Sequence, residues 1–296
     1  MVEVTELKPL QAYGMIVFAA TMWGSLGVMT KVLYGLGLDP WSLTFYRTSM
    51  GFLSFAVVVL ATSRSSLRVR REDLLFLAVY GLVSTSAFHT LYLYTISITS
   101  VAVAAVLLYT APGFSAIMAR FVFGEPLNSS KVIALLLAFG GCILVSGIES
   151  GAPAATPLGI ATGLGSAVTY ASFGIMGKRA RQQYDPWTVN FYCMGFATIF
   201  LIPLLGVPGS SMGPYPLEAW MLLAVVAVGP TMLSRLLYVS AVKHVEASRA
   251  AIAATIEPAS AGIFALIFLG ELLSPIQIVG GILVLAGAVL AQRPSR

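Results

Sequence analysis

The sequence predicts an all-α integral membrane protein with ten transmembrane helices arranged as two inverted five-helix repeats. Three observations lead there. Of 296 residues, 58% are hydrophobic and only 10% charged, with a mean hydropathy of +0.89. A water-soluble domain carries about a quarter charged residues, so this chain cannot cover an aqueous surface. The second observation is a self-match at a constant offset of 146. Asp39-Pro40-Trp41 returns as Asp185-Pro186-Trp187, Phe45-Tyr46 as Phe191-Tyr192, Leu91-Tyr92 as Leu237-Tyr238, Pro112 as Pro258 and Gly124-Glu125 as Gly270-Glu271. The third is the placement of Lys and Arg.

A span needs about 20 mostly apolar residues. Ten such runs occur, at roughly 10–31, 40–61, 74–96, 99–121, 127–147, 158–177, 187–206, 218–241, 247–269 and 274–292. Runs of this length satisfy their own backbone in lipid only as helices; a barrel would alternate polar and apolar residues, and these do not. The run 10–31 is long enough to span and lacks a small-residue cleavage site, so it is read as a helix rather than a signal peptide. The runs at 40–61 and 187–206 begin beside Trp41 and Trp187, read as interfacial anchors. Pro112-Gly113 and Pro258 interrupt 99–121 and 247–269 at equivalent depth, and Gly229-Pro230 marks a bend in 218–241. Pro112, Pro258 and Pro230 are the candidate hinges. Gly140-Gly141 in the fifth run and Gly280-Gly281 with Gly287 in the tenth permit close helix packing; within the chain that suits a monomer, and on the surface it is a dimer face. The longest connections are 62–73, 148–157 and 207–217, the second dividing the chain into units of 1–150 and 151–296.

With a cytoplasmic N-terminus, the inner loops hold Lys8, Arg64, Arg68, Arg70, Arg71, Arg120, Lys131, Lys178, Arg179, Arg181, Lys243, Arg249, Arg293 and Arg296, and the outer loops only Lys31. A split of 14 to 1 orients the chain with both termini cytoplasmic. The net charge of +5 therefore belongs to a membrane surface and not to nucleic-acid binding. Because each copy holds an odd number of spans, the second enters the membrane upside down. Two inverted copies suit alternating access, so the repeat argues for transport.

A charge in hydrocarbon costs about 2.5 kcal/mol or more, so each one invites a functional reading. Arg47, His89, Arg235 and Glu257 fall inside spans. His89 and Arg235 are equivalent at the 146 offset, and Tyr92 and Tyr238 follow them at i+3 on the same helix face. With Trp23, Tyr170 and Tyr109, these residues are the candidate substrate-binding set. Two readings stand for each charge: Arg47 and Arg235 also lie near helix ends, where they can snorkel, His89 can be a hydrogen-bonded neutral histidine, and Glu257 can brace the bend at Pro258. Tyr46 and Tyr192 face plausible paths or pack. Cys142 and Cys193 are read as small packing residues, placed neither as a disulfide nor as a metal site. No metal or other cofactor is expected.

Trp23-Gly24-Ser25 with Lys31, Arg47, Pro112 through Gly124-Glu125 with Gly140-Gly141, and Pro258 through Gly270-Glu271 with Gly280 resemble the EamA family of the drug/metabolite transporter superfamily. The similarity covers nearly the whole chain. It implies ten spans in two five-helix repeats and a bacterial inner-membrane exporter of small metabolites, often amino acids. His89 and Tyr92 are similar to positions of the aromatic amino acid exporters within that family. Together the residues point to export of aromatic or neutral amino acids and related amphiphiles, with the lipid bilayer and a small molecule as the partners. Three interior cations suit an anionic group and the aromatic residues an apolar side chain. Glu257 or His89 is the candidate coupling group. An exporter of lipophilic cations is the alternative, resting on Glu257. A membrane-embedded enzyme ranks last, because His89 alone would have to serve as base and no catalytic step is needed for transport.

Overall fold

The computed structural model describes residues 8–62, 67–99, 101–145, 156–210, 213–270 and 274–291, and among them no strand occurs. Arg64, Glu271, Arg293, Arg296 and most of the 148–157 connection lie outside the described residues. In chain order the helices are α1 (Pro9–Gly35), α2 (Pro40–Thr62), α3 (Arg71–Gly81), α4 (Phe88–Ile98), α5 (Val101–Leu108), α6 (Ala111–Phe123), α7 (Ser129–Val145), α8 (Pro157–Ala180), α9 (Pro186–Leu201), α10 (Leu217–Val226), α11 (Ser234–Ala241), α12 (Ala247–Ala254), α13 (Ile256–Leu269) and α14 (Pro275–Ala291). Eight continuous or near-continuous helical stretches are long and apolar enough to cross a membrane. The helices α7 and α14 have 17 residues each, a rise of about 26 Å against about 30 Å of hydrocarbon.

Four of the expected spans are broken. The segments Leu82–Ala87, between α3 and α4, and Ala227–Leu233, between α10 and α11, are π-helical. They sit at the 146 offset. Pro230 lies inside the second, where its missing N–H favours the wider turn; the first has no proline. The breaks in the other two fall just before their prolines. Pro112 sits in the first turn of α6 and Glu257-Pro258 in the first turn of α13, where no backbone N–H is needed.

Equivalent positions make equivalent contacts. Asp39 Oδ1 accepts from the Trp41 and Ser42 amides at 2.9 and 3.0 Å, and Asp185 Oδ1 from Trp187 and Thr188 at 2.9 and 3.0 Å. Gly124 and Gly270 end α6 and α13 in the left-handed conformation, φ 67° and 69°, which a side chain would strain. A Cβ on Gly141 would stand 2.6 Å from the Gly280 carbonyl oxygen; one on Gly287 would stand 2.9 Å from that of Ala134. Since 134 and 280 are again 146 apart, α7 and α14 clasp each other antiparallel through their own backbones. Gly141, Gly280 and Gly287 thus serve a contact inside the chain, while a Cβ on Gly140 or Gly281 would meet nothing within 4 Å.

The cations counted as loop charges are not all solvated. Lys131 is 1% exposed and Arg249 4%. Glu125 Oε1 accepts from Lys178 Nζ at 2.9 Å and the Ala247 amide at 2.7 Å, and Oε2 accepts from the Ser248 hydroxyl at 2.6 Å. Lys131 Nζ stands 2.9 Å from Glu246, which also binds Arg249, and Arg249 donates to the Ala291 carbonyl at 3.0 Å. This network ties α6, α7, α8, α12 and α14 at one end of the bundle. Burial alone would raise the Glu125 carboxyl; the Ser248 hydrogen bond and the Lys178 charge outweigh it and hold it below the usual carboxylate range.

Candidate functional site

The π segment ahead of α4 turns the Thr85 carbonyl toward His89, whose Nδ1 donates to it at 2.7 Å. With that nitrogen protonated, Nε2 is the acceptor, and it is bonded by the Arg47 guanidinium from α2. Thr85 reaches the other copy through its hydroxyl, 3.9 Å from Cys193 Sγ. Cys193 in turn accepts from Arg235 at 3.2 Å. Arg47, His89, Thr85, Cys193 and Arg235 therefore form one polar strip. Its two ends obey the repeat with the roles exchanged: Arg47 is equivalent to Cys193, and His89 to Arg235. Arginine comes from the first position in one copy and from the second in the other. Neither arginine snorkels. Arg235 is 9% exposed, and the Nε atoms of both are buried without a hydrogen-bond partner.

Beside the strip lies an aromatic cavity. Trp23 on α1, Tyr109 before α6, Tyr170 and Phe173 on α8, and Tyr238 on α11 line it, with Pro112, Gly174 and Glu257. Its free interior is about 30 Å³, above the roughly 10–15 Å³ that one water needs. The rings hold each other: Trp23 lies 5.5 Å from Tyr238, and Phe173 stacks on Tyr238 at 5.1 Å. The Arg235 guanidinium sits 4.5 Å from the Phe173 ring centre, joining strip to cavity by a cation–π contact. Phe88 packs against Tyr170 at 4.9 Å and makes the second junction. Gly174 leaves room for the Tyr238 hydroxyl, which a Cβ there would meet at 2.8 Å. Glu257 Oε2 accepts from the Tyr170 hydroxyl at 3.2 Å.

The structure thus gathers Trp23, Tyr109, Tyr170, Tyr238, Glu257 and Pro112 around one cavity. It sets Arg47, His89 and Arg235 in the strip behind that wall. Tyr92 stacks on Phe88 at 6.0 Å and does not line the cavity. Pro230 lies in the π segment just ahead of Arg235, also away from the lining. Tyr46 and Tyr192 serve packing: Tyr46 joins Tyr215 and Trp220, and Tyr192 donates to the Leu67 carbonyl at 2.7 Å. Sequence reasoning missed Thr85, Cys193 as a polar acceptor, Phe173 and Gly174. Of these only Cys193 carried a signal, its equivalence to Arg47.

A solved crystal structure superposes with a TM-score of 0.82 over 95% of this chain and 96% of that one at 18% identity, a likeness of fold. A transporter of Archaeoglobus fulgidus is 32% identical over 94% of this chain and 95% of its own. A protein of Streptantibioticus cattleyicolor named "Probable terminal-alkyne amino-acid exporter" is 25% identical over 97% and 95%, and an inner membrane transporter of Salmonella typhimurium 24% over 95% and 95%. The EamA-like transporter family matches twice, at residues 10–147 and 157–292. With both halves of the sequence matched and the self-match recurring in caps, bends and side-chain pairs, the chain belongs to the EamA-like transporter family, a family of multi-pass membrane transporters.

Proposed function

We propose that the protein exports small metabolites, neutral and aromatic amino acids foremost, from the cytoplasm across the inner membrane by alternating access. The observation that supports this is the cavity itself, walled by rings from both copies and flanked by a buried polar strip. The amino-acid part of the reading is supported by the printed name of the Streptantibioticus relative. In this reading α7 and α14 are the fifth and tenth spans. Units 1–150 and 151–296 are inverted copies, and both termini face the cytoplasm. The copies rock about the cavity, helped by the π segments and the breaks before Pro112 and Pro258. When the copies part, the open Nε donors of Arg47 and Arg235 come within reach of a substrate carboxylate, a charge-assisted contact.

The test is transport by the purified protein in proteoliposomes, with a panel of labelled amino acids and cationic dyes. Saturable movement of amino acids is expected. His89→Ala and Arg235→Ala, correctly inserted, are each expected to lower it about tenfold, as loss of one buried charge contact does. Normal export by both variants removes the strip from the mechanism. No saturable movement of any compound removes the proposal.

A further inference from the structure

The charges around the cavity are not equivalent. Arg47 is held by His89, and Arg235 by Cys193 and the face of Phe173. The charged side chain in the lining is Glu257. One of its oxygens takes the Tyr170 hydroxyl at 3.2 Å, and among the described residues no lysine or arginine forms a salt bridge with it. The rest of the wall contributes the rings of Trp23, Tyr109, Tyr170, Phe173 and Tyr238. Ring faces carry negative potential and attract organic cations. A carboxylate with room on one side, set among such rings, attracts an ammonium group and repels a carboxylate.

We propose that Glu257 and the surrounding rings form an ammonium-recognition site, so the transported class is defined by a protonated amine attached to an apolar body rather than by a carboxylate. Resting on the export reading above, this sharpens it. An amino acid seats its ammonium against Glu257 and turns its carboxylate away. An amine lacking the carboxylate still binds at this wall. A hydroxy acid of the same shape lacks the group that Glu257 reads. Tyr170 is the positioning residue, because its hydroxyl fixes one carboxylate oxygen and leaves the other for the ligand.

The test titrates purified full-length protein in detergent with phenylalanine, phenethylamine and 3-phenyllactate, following tryptophan fluorescence, which Trp23 places in the cavity wall. The amine and the amino acid are expected to bind, with the hydroxy acid at least about tenfold weaker. Glu257→Gln keeps the shape and removes the charge, and is expected to weaken phenethylamine at least about tenfold; Glu257→Asp retains a charge and is expected to weaken it less. Equal binding of phenyllactate and phenylalanine overturns the site, as does a Gln variant that binds the amine like wild type, or wild-type protein that binds none of the three. Should the Gln variant not fold, the ligand order on wild type still decides. A proteoliposome arm separates the two readings. Amine binding that depends on Glu257 without saturable transport of any compound sinks export and leaves the site. Saturable export of phenylalanine that phenethylamine does not inhibit sinks the site and leaves export.

Discussion

Positions 146 residues apart, which agree in turns and helix contacts, differ in charge around Glu125. At one end Glu125, Lys178, Lys131, Glu246 and Arg249 form a buried ionic network across five helices. In the sequence, the positions 146 residues away are Glu271, Val32, Gln277, Ser100 and Val103, of which only Glu271 is charged. Gly124 and Gly270, which precede the two glutamates, share one left-handed geometry. The two halves agree where the chain turns or helices touch, and differ in charge at the positions of the ionic network. Under the proposed alternating access, opening the Glu125 end breaks ion pairs.

The strongest way to break that comparison is to remove Glu125. Glu125→Ala leaves the largely buried Lys178 ammonium without its carboxylate, while Lys131 keeps Glu246, and it uncaps the Ala247 and Ser248 amides. Stranding a buried charge costs about 3–5 kcal/mol, so a large fall in the thermal midpoint of the purified protein is expected. Val32→Ala, at the position equivalent to Lys178, is expected to cost less than about 1 kcal/mol, because that side chain is already 44% exposed. Equal effects would mean that the ionic network adds no more stability than the side chain at the equivalent position. The same contrast appears in pH. The folded Glu125 carboxyl lies below its ordinary value of 4.5, so its contribution is complete above that value and is lost as the pH falls through the folded value. Wild type is expected to lose stability over that acid range, and Glu125→Gln to lose less of it.

The glycine clasp sharpens the opposite side of the comparison, the contacts the copies share. Gly141→Ala and Gly287→Ala each force a methyl toward a backbone carbonyl oxygen, at 2.6 and 2.9 Å. Overpacking of this kind costs about 1–3 kcal/mol, with Gly141 expected to be the more sensitive. Gly140→Ala and Gly281→Ala face open space and are expected to be neutral or slightly stabilising, since alanine favours helix. Thermal midpoints of the four variants check this. A harmless Gly141→Ala would mean that α7 and α14 do not touch through their backbones.

The sequence made the shared features readable and the differences only partly so. Asp39 and Asp185, Gly124 and the paired prolines act on their own few neighbours, so local pattern reveals them. The strip and the ionic network depend on contacts between helices far apart in the chain. Arg235 meets Cys193 and Arg47 meets His89 across 42 residues each, and nothing in the local sequence of Cys193 marks it as the acceptor. Counting cations by loop gave a side for Lys131 and Arg249 but treated them as solvated, because burial is decided by which helices close over them. The π segment at Leu82–Ala87 had no local signal either: without a proline, its wider turn follows from packing on α8 and α9, where Ser84 bonds Ser172 at 2.6 Å and Ser86 the Ala197 carbonyl at 3.1 Å.

The smallest expected effect tests whether the copies match in energy as well as geometry. Asp39→Ala and Asp185→Ala each remove two amide acceptors at the start of a helix, a loss of about 1 kcal/mol. Asp185 also accepts from the Thr188 hydroxyl at 2.5 Å, and another hydroxyl residue, Ser42, stands at the position equivalent to Thr188. Similar falls in thermal midpoint are therefore expected for Asp39→Ala and Asp185→Ala. If Asp39→Ala instead cost several times more, the two caps would share geometry without sharing load, and equivalence of contacts would no longer imply equivalence of energy anywhere else in the repeat.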